Sequence, residues 1–561
     1  MTNSAPKPRA DLCTFVLHWL LVICVLVSLL TGLRIAADYH ASIAGSMSSG
    51  LGWLLPEGPV ITWHVWSSWL LVFVAFAYAA FLWWSRESIR VKLDRSVRQR
   101  LVRAWTSGRF WHDLPAWFAI NVVIYQIAFV LIGLMALTGW MLYAGVSLGL
   151  GHDVISTIHG LFAYTFIAYI VIHILAQLKS GAFWKIFRPG MRHAAAAAVA
   201  LLAAGAIVGA AYFIDRSQFD ELLIAKVDEA PKLDGSGDDG AWSHVETRTI
   251  QTHRGANLPD GEVAVEVAAV HDGERVYFRF RWADPQRSRK HLPLIKEAGG
   301  WRVLQSEFEI NDEDDYYEDK FAVAISTEPE LGSGTVHLGQ NLIDGPHRDT
   351  TRGLHYTADG SLVDMWHWKS VRTGSMSPAL MDDNQFGPPK ASEKDGARYT
   401  AGYTQDPKET GGYSLNWTKL DESKPLNDVY VQPKFLPADQ DLLQTIEQID
   451  LDPKAPDKGI WHLTGDDVVP FDPKADDLPI GTVLPSVVVE GSFAGDRGDV
   501  RAGADWQDGR WTLEVSRLLD TGSEHDVALS PERDSYLWVA VFNHTQTRHS
   551  QHLHPLRLKL R

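Results

Sequence analysis

Five apolar stretches constrain this 561-residue chain more than any other feature of its sequence. A helix needs about 20 residues to cross the hydrocarbon core of a bilayer, and each stretch is at least that long. We therefore predict five transmembrane helices, at approximately residues 12–36, 60–84, 116–143, 153–178 and 194–214.

Charge separates the apolar part from the rest of the chain. Residues 1–214 carry 15 Lys and Arg against 7 Asp and Glu, whereas residues 215–561 carry 37 against 61. The acidic balance of the second part excludes nucleic acid as a natural partner. The two cysteines, Cys13 and Cys24, lie about 16 Å apart on one predicted helix, too far to form a disulfide. No C-x-x-C-H motif is present, so covalent c-type haem is excluded as well.

The basic residues of the first part lie in alternate connections. Eight Lys and Arg fall between residues 86 and 109, whereas the connections 37–59 and 144–152 contain none. By the positive-inside rule, the amino terminus is cytoplasmic and Asp215 emerges on the other side. We therefore predict a multi-pass protein of the bacterial inner membrane with a periplasmic carboxy-terminal domain.

Four histidines lie within the apolar stretches, where ionisable groups are costly and usually functional. His159 and His173 are 14 residues apart on the fourth stretch, which places them on one helix face about 21 Å apart. By depth, His64 matches His159 at the outer level and His18 matches His173 at the inner level. Two stacked pairs of imidazoles are what two b-type haems require, so these four residues are the predicted ligands of haem iron.

The same residues resemble those of the bacterial cytochrome b561 family, which includes the Ni–Fe hydrogenase b-type cytochromes and the formate dehydrogenase gamma subunits. The resemblance covers about residues 10–190 and implies a dihaem cytochrome that reacts with quinone. Its features are His18 followed by Thr31-Gly32, His64 at the start of the second stretch, and the His159–His173 pair.

Two further features of the apolar part have structural interpretations. Thr31-Gly32 and Thr138-Gly139 are interpreted as small residues that let helices pack closely. A polar patch on the third stretch either forms interhelical hydrogen bonds, the favoured interpretation, or lines a quinone site; it consists of Asn121, Tyr125 and Gln126.

From about residue 230 the pattern changes to short alternating segments such as 262–267 and 276–282, separated by Asp-Gly pairs. Period-two alternation with such turns predicts antiparallel strands, here an extracytoplasmic all-β sandwich with long loops. The predicted domains are a dihaem four-helix transmembrane domain at 1–192, a fifth helix with its linker at 193–229, and the sandwich at 230–561.

Several segments of the second part resemble the haem-binding domain of ethylbenzene dehydrogenase gamma subunits and of related cytochrome c-552 and dimethyl sulfoxide reductase-family partners. They include Tyr277–Asp284, Glu318–Val323, Asp364–Lys369 and Gly509–Arg517. The resemblance implies one more b-type haem, held in the family by a Met and a Lys. Here Ser326 stands where the Met is expected, and the lysine-bearing segment falls near residues 547–552.

The ligands of that outer haem stay open in the sequence. The candidates are His355, His367, His549 and His552, with His337 and His347 as further choices. Lys369 is either a partner of a haem propionate or a solvated charge. Because His549 and His552 are three residues apart, a strand would point at most one of them into the sandwich.

These features predict an electron-transfer cytochrome. It would pass electrons between the quinone pool and an extracytoplasmic redox protein or catalytic subunit, through two membrane b haems and a third outside. The chain is then either an electron-transfer protein or a subunit of a quinone-linked oxidoreductase. The alternative is a cytochrome b anchor whose haem-free sandwich binds a carbohydrate or a partner protein.

Overall fold

The structure, a computed structural model, divides into two compact units that are described separately. The described residues of the helical unit end at residue 217, and those of the sandwich unit begin at residue 220. The structure describes residues 10–37, 55–56, 60–85, 92–108, 110–146, 148–180, 189–190, 193–217, 220–305, 313, 315–329, 357, 360–390, 401–439, 451–452, 455, 459–552 and 554–561.

The described part of the helical unit contains six α-helices, of which five are long and apolar enough to cross a membrane. The prediction of five spanning helices is therefore confirmed. The sixth helix, α3, is rich in arginine and is not one of the five apolar helices. The helices are α1 (Leu12–Ala37), α2 (Val60–Trp84), α3 (Arg95–Thr106), α4 (Leu114–Ala144), α5 (His152–Lys179) and α6 (Ala194–Ser217).

Local interactions set where several of these helices begin and end. The Asp94 carboxylate caps α3 by accepting a hydrogen bond from the Val97 amide at 3.0 Å. Helix α4 ends at Gly145, whose φ of 67° is a left-handed conformation that glycine adopts without strain. Before α1, the short strand β1 (Ala10–Asp11) pairs in parallel with β2 (Pro189–Gly190), just ahead of α6.

The sandwich unit is built almost entirely of strands. They are β3 (Glu221–Lys226), β4 (Arg248–Thr252), β5 (Val263–His271), β6 (Arg275–Ala283), β7 (Leu294–Glu297), β8 (Gly300–Val303), β9 (Lys320–Ser326), β10 (Val363–Lys369), β11 (Asp382–Lys390), β12 (Ala401–Gln405), β13 (Tyr413–Leu415), β14 (Trp417–Lys419), β15 (Val431–Pro433), β16 (Phe435–Pro437), β17 (Leu463–Thr464), β18 (Val468–Pro470), β19 (Val483–Leu484), β20 (Val487–Val489), β21 (Arg501–Gln507), β22 (Arg510–Leu518), β23 (Ser535–Phe542) and β24 (Leu556–Leu560).

Twelve of these strands form one sheet, in which eleven follow the hydrogen-bonded path β12-β11-β10-β9-β23-β24-β3-β5-β6-β22-β21 and β4 pairs with β5 beside it. The two ends of the path pack face to face, because aromatic side chains from opposite ends meet in one core. The ring centres of Phe280 on β6 and Phe321 on β9 are 4.9 Å apart, and those of Trp368 on β10 and Trp511 on β22 are also 4.9 Å apart. The predicted all-β sandwich is confirmed.

The turn chemistry of the sequence accounts for two of its hairpins. Asp272-Gly273 joins β5 to β6, and Asp508-Gly509 joins β21 to β22, with Asp508 and Gly509 both at positive φ. The stretch 380–480 belongs only in part to the main sheet. Strands β11 and β12 belong to the main sheet, whereas β13–β18 form smaller sheets of their own with β7, β8, β19 and β20.

Strand β21 approaches a neighbouring segment of the sandwich unit closely at Gly503. A Cβ atom at Gly503 would lie 2.0 Å from the carbonyl oxygen of Leu233, and a backbone oxygen cannot rotate away as a side chain can. Gly503→Ala should therefore lower the free energy of unfolding by at least the roughly 1–3 kcal/mol that overpacking usually costs. The measurement is urea unfolding of the detergent-solubilised chain, followed by tryptophan fluorescence.

Gly240→Ala is the matched control, because a Cβ there meets no described atom within 4 Å. An unfolding midpoint for Gly503→Ala equal to that of Gly240→Ala would contradict this close contact.

Candidate functional site

Two pairs of histidine rings face each other inside the helical unit. The ring centres of His64 on α2 and His159 on α5 are 6.3 Å apart, with their planes at 87°. The ring centres of His18 on α1 and His173 on α5 are 6.2 Å apart, with their planes at 43°. The structure thus brings together the two pairs that depth along the helices predicts.

The separation within each pair suits one metal ion between two rings. An imidazole nitrogen lies about 2 Å from a metal that it binds, so two imidazoles on opposite sides of one ion have ring centres about 6 Å apart. Both pairs match this separation. Two imidazoles in an apolar bundle are also the donor set that b-type haem uses, so the residues present fit that group.

Oxygen acceptors hold the Nδ1 atoms of one pair. Thr138 Oγ1 lies 2.8 Å from His159 Nδ1 and donates its own hydrogen to the Leu134 carbonyl at 2.8 Å. Thr31 Oγ1 lies 3.1 Å from His64 Nδ1 and donates to the Val27 carbonyl at 2.7 Å, and the Ser28 carbonyl oxygen, which can only accept, lies 2.9 Å from the same Nδ1. Each hydroxyl is therefore left to accept from an Nδ1–H, which fixes the tautomer and leaves Nε2 free to bind a metal.

The glycine after each threonine lies against the same histidine ring. A Cβ atom at Gly32 would lie 3.0 Å from His64 Cε1, and one at Gly139 would lie 3.2 Å from His159 Cε1. The two Thr-Gly pairs therefore position histidine rings as well as letting helices approach, a role that the sequence interpretation missed. The sequence signal was that Thr-Gly occurs on two helices, each followed in the chain by a helix that carries one of the predicted histidine ligands.

The other pair lies in a different setting. The Tyr169 ring stacks on His173 with centres 5.7 Å apart, and the Tyr125 ring meets it edge-on at 6.4 Å. Among the described residues, the buried Nδ1 of His173 has no hydrogen-bond partner. The two pairs thus share their spacing but differ in what surrounds the imidazoles.

The polar patch of α4 makes contacts between helices. Asn121 Nδ2 donates to Ser180 Oγ at 3.0 Å, and Asn121 Oδ1 accepts from Gln177 Nε2 at 3.3 Å. These hydrogen bonds join α4 to the end of α5. They account for Asn121 without a quinone, in agreement with the favoured interpretation of its role.

Strand β10 in the sandwich unit presents two chemically different faces. Trp366 and Trp368 point into the aromatic core and are 0% and 2% exposed. His367, between them in sequence, lies on the opposite face with its ring centre 5.1 Å from that of Phe542. Its Nε2 atom is buried and has no hydrogen-bond partner within the described part of the chain.

Small side chains lie beside His367 on the same face of the sheet. Ala322 on β9 pairs with His367 on one side and with Ala540 on the other, and Ala324 lies in the next row of the same face. We call Ala322, Ala324 and Ala540 the alanine floor. Met365 and Trp538 pair with Ala324, one from each side, so the floor is flat, apolar and bordered by large side chains. Such a surface suits one side of a planar ring.

The charges around His367 favour its neutral form. Burial is the main cause, and the nearby Lys320, Lys369 and Arg372 cations add to it, so the pKa of His367 lies well below its usual value. The neutral imidazole is the form that binds iron.

The other candidates of the sandwich unit have different surroundings. Lys369 is buried in an ion pair with Asp382, and its Nζ donates to the Tyr413 hydroxyl at 3.3 Å, so it is not a solvated charge. His552 Nε2 accepts from the Val539 amide at 2.9 Å, and its Nδ1 lies 2.8 Å from the His554 carbonyl oxygen. With both nitrogens engaged, His552 has no atom left for iron in this arrangement.

His549 shares an aromatic neighbour with His367. Its ring centre is 4.8 Å from that of Phe542, so His367 and His549 contact the same phenyl ring. His355, His337 and His347 lie outside the described residues.

Comparison with known protein families accounts for both parts of the chain. Residues 239–553, more than half of the chain, match the family described as ethylbenzene dehydrogenase. The chain belongs to that family. Residues 9–215 match the family described as prokaryotic cytochrome b561. Both resemblances predicted from the sequence are thereby confirmed.

The match to cytochrome b561 and the five apolar helices make the amino-terminal part a membrane-embedded b-type cytochrome that transfers electrons and binds haem b. No curated protein sequence matches the chain.

Solved structures similar to this chain are carbohydrate-binding proteins. One is a family 9 carbohydrate-binding module from Caldicellulosiruptor kristjanssonii in complex with glucose, at 7% identity and a TM-score of 0.24, covering 60% of this chain and 95% of that chain. Another is a putative carbohydrate-binding protein from Bacteroides uniformis, at 8% identity and a TM-score of 0.24, covering 61% and 99%. Similarity at this level assigns no ligand to the sandwich unit.

The contact between Gly139 and His159 can be tested directly. Gly139→Ala places a Cβ 3.2 Å from His159 Cε1, so the ring must move and its haem should be lost or change its absorption and magnetic spectra. The measurement is haem content and low-temperature electron paramagnetic resonance of the purified chain.

Gly133→Ala, on the same helix, is the control, since a Cβ there meets no described atom within 4 Å. If both variants retain the parent spectrum, Gly139 does not position the ring.

Proposed function

We propose that this protein transfers electrons between the quinone pool of a bacterial inner membrane and a redox partner on the periplasmic side. The observation that carries the proposal is the presence of two pairs of imidazoles on three apolar helices. The ring centres are 6.2 Å apart in one pair and 6.3 Å apart in the other. Haem b held in such pairs supplies one-electron redox chemistry within the membrane.

Each residue of the helical unit has a stated role in this proposal. His64 and His159 would hold one haem, and His18 and His173 would hold the other. Thr31 and Thr138 hold the Nδ1–H tautomer, so that Nε2 faces the iron. The 14-residue spacing of His159 and His173 puts the two sites about 21 Å apart along α5, at two depths of one bundle.

A third haem b is proposed for the sandwich unit, on the alanine floor. His367 is the ligand supplied by the sheet, because its Nε2 is buried without a partner beside a flat apolar surface. The ligand on the other side of the ring would come from His355 or His549. Lys369 and His552 are structural in this scheme, since their polar atoms are engaged elsewhere.

Charge supports the proposed orientation and the kind of partner. The basic connections of the helical unit, including α3 with its four arginines, belong on the cytoplasmic side. Residues 215–561 carry 37 Lys and Arg against 61 Asp and Glu, and such a surface attracts a basic protein at long range. The proposed partner is a basic periplasmic redox protein or a catalytic subunit.

The number of haems tests the proposal about the sandwich unit. The purified chain should contain about three b-type haems by pyridine haemochrome assay, and His367→Ala about two, because its ligand is removed while the helical unit is untouched. His244→Ala is the control, since His244 is exposed.

A wild-type count of two would contradict the outer haem. It would favour the alternative, a cytochrome anchor whose haem-free sandwich binds a carbohydrate or a partner protein. A count of zero would contradict the whole proposal.

Reduction by quinol tests the membrane end of the proposed route. A soluble quinol analogue should increase the α-band absorbance of the oxidised wild-type chain, since the haems are proposed to exchange electrons with quinone. His173→Ala and His159→Ala should each show a smaller increase, because each lacks one ligand of a membrane haem. A wild-type chain that dithionite reduces and quinol does not would contradict the quinone part alone.

A further inference from the structure

A group of aspartates lies buried in the sandwich unit, apart from the alanine floor. Asp364 at the start of β10, Asp383 on β11 and Asp526 between β22 and β23 each bring a carboxylate oxygen within 4.8 Å of the other two. Asp364 and Asp383 are each 0% exposed, and the Asp526 side chain is 2% exposed. Three carboxylates are thus gathered at one buried point.

Each of the three carboxylates has one oxygen held by the protein and one left over. Asp364 Oδ2 accepts from Arg517 and from the Val527 amide at 3.1 Å, Asp383 Oδ1 accepts from the Asn384 amide at 2.9 Å, and Asp526 Oδ2 accepts from Thr521 Oγ1 at 2.5 Å. The remaining oxygens, Oδ1 of Asp364, Oδ2 of Asp383 and Oδ1 of Asp526, are buried without a hydrogen-bond partner among the described residues. The protein therefore orients the three carboxylates and leaves one oxygen on each without a hydrogen bond among the described residues, although Asp526 Oδ1 lies 4.0 Å from Arg517 Nη1.

Further acidic groups surround these three. Asp406 is 2% exposed with both carboxylate oxygens unpartnered within the described part of the chain, and Asp499 meets Asp383 carboxyl to carboxyl. The facing positive charge is Arg517, with Asp496 as a more distant acid. Ionised carboxylates are thus unfavourable here unless a further cation is present.

Such a group of buried acceptors is costly without a cation. A buried polar atom with no partner destabilises the folded state, and a charged one does so more strongly. A hard divalent cation supplies what the unused oxygens lack. Calcium takes six to eight oxygen ligands in a flexible geometry, whereas magnesium requires a near-ideal octahedron and retains waters.

We propose that Asp364, Asp383 and Asp526 bind one calcium ion, with Asp406 and Asp499 beside it. The ligands come from β10, from β11 and from the segment that joins β22 to β23, so the ion ties the two ends of the main sheet's strand path together. Calcium is therefore a structural ion of the sandwich unit, independent of any haem.

The full-length chain in detergent tests the proposal through metal content and melting temperature. After gel filtration in metal-depleted buffer with added calcium, elemental analysis should find about one calcium per chain. Chelation by EDTA should lower the melting temperature recorded by tryptophan fluorescence by several degrees, and 1 mM calcium should restore it, because an ion that binds only the folded state stabilises it.

Asp383→Asn removes a proposed ligand while preserving its size. This variant should lose both the bound calcium and the effect of EDTA, whereas Asp505→Asn, at an exposed position of β21, should retain both. If the wild-type chain holds no calcium and melts at one temperature with and without EDTA, the cluster holds protons only and the proposal is wrong. An equal response to magnesium and calcium would overturn the assignment of the ion.

Discussion

An imidazole inside an apolar helical bundle has two nitrogen atoms to satisfy and almost no water to satisfy them. In the His64–His159 pair, the bundle meets this constraint on one side with threonine hydroxyls, which already donate to carbonyls of their own helices and so are left to accept. The ring centres of the two histidines are 6.3 Å apart, a separation that suits one metal ion between them. Ring orientation, helix approach at Gly32 and Gly139, and the capacity to hold haem all depend on this arrangement.

In the sandwich unit, the size of the side chains distinguishes the two faces of β10. On one face of β10, Trp366 and Trp368 fill the core between the two ends of the sheet. On the other face, His367 pairs with Ala322 on β9, which has Ala540 beyond it, and with Asp382 on β11. The strand is therefore suited to pack through its tryptophans on one face, and on the other to present a histidine beside small apolar side chains.

Much of this architecture could be predicted from the sequence, for physical reasons. Membrane helices show their length and hydropathy directly, and a periodicity of 3.6 residues predicts that His159 and His173 share a face. Contacts between residues distant in sequence could not be predicted in the same way. The role of Thr31 depends on a ring 33 residues later, and the aspartate cluster joins residues 364 and 526. Lys369 and His552 likewise look available in the sequence, because their partners are known only once strands and loops are in register.

The two histidine pairs differ in a way that bears on electron transfer. A hydrogen bond from Nδ1–H to an oxygen makes an imidazole a stronger donor to iron, and stronger donors stabilise the oxidised state. His64 and His159 both have such oxygens at 2.8–3.1 Å, whereas the buried Nδ1 of His173 has no partner among the described residues and its ring packs against Tyr169. On this argument, a haem held by His64 and His159 would have a lower reduction potential than one held by His18 and His173. The two pairs, similar in spacing, would then hold an electron with unequal affinity.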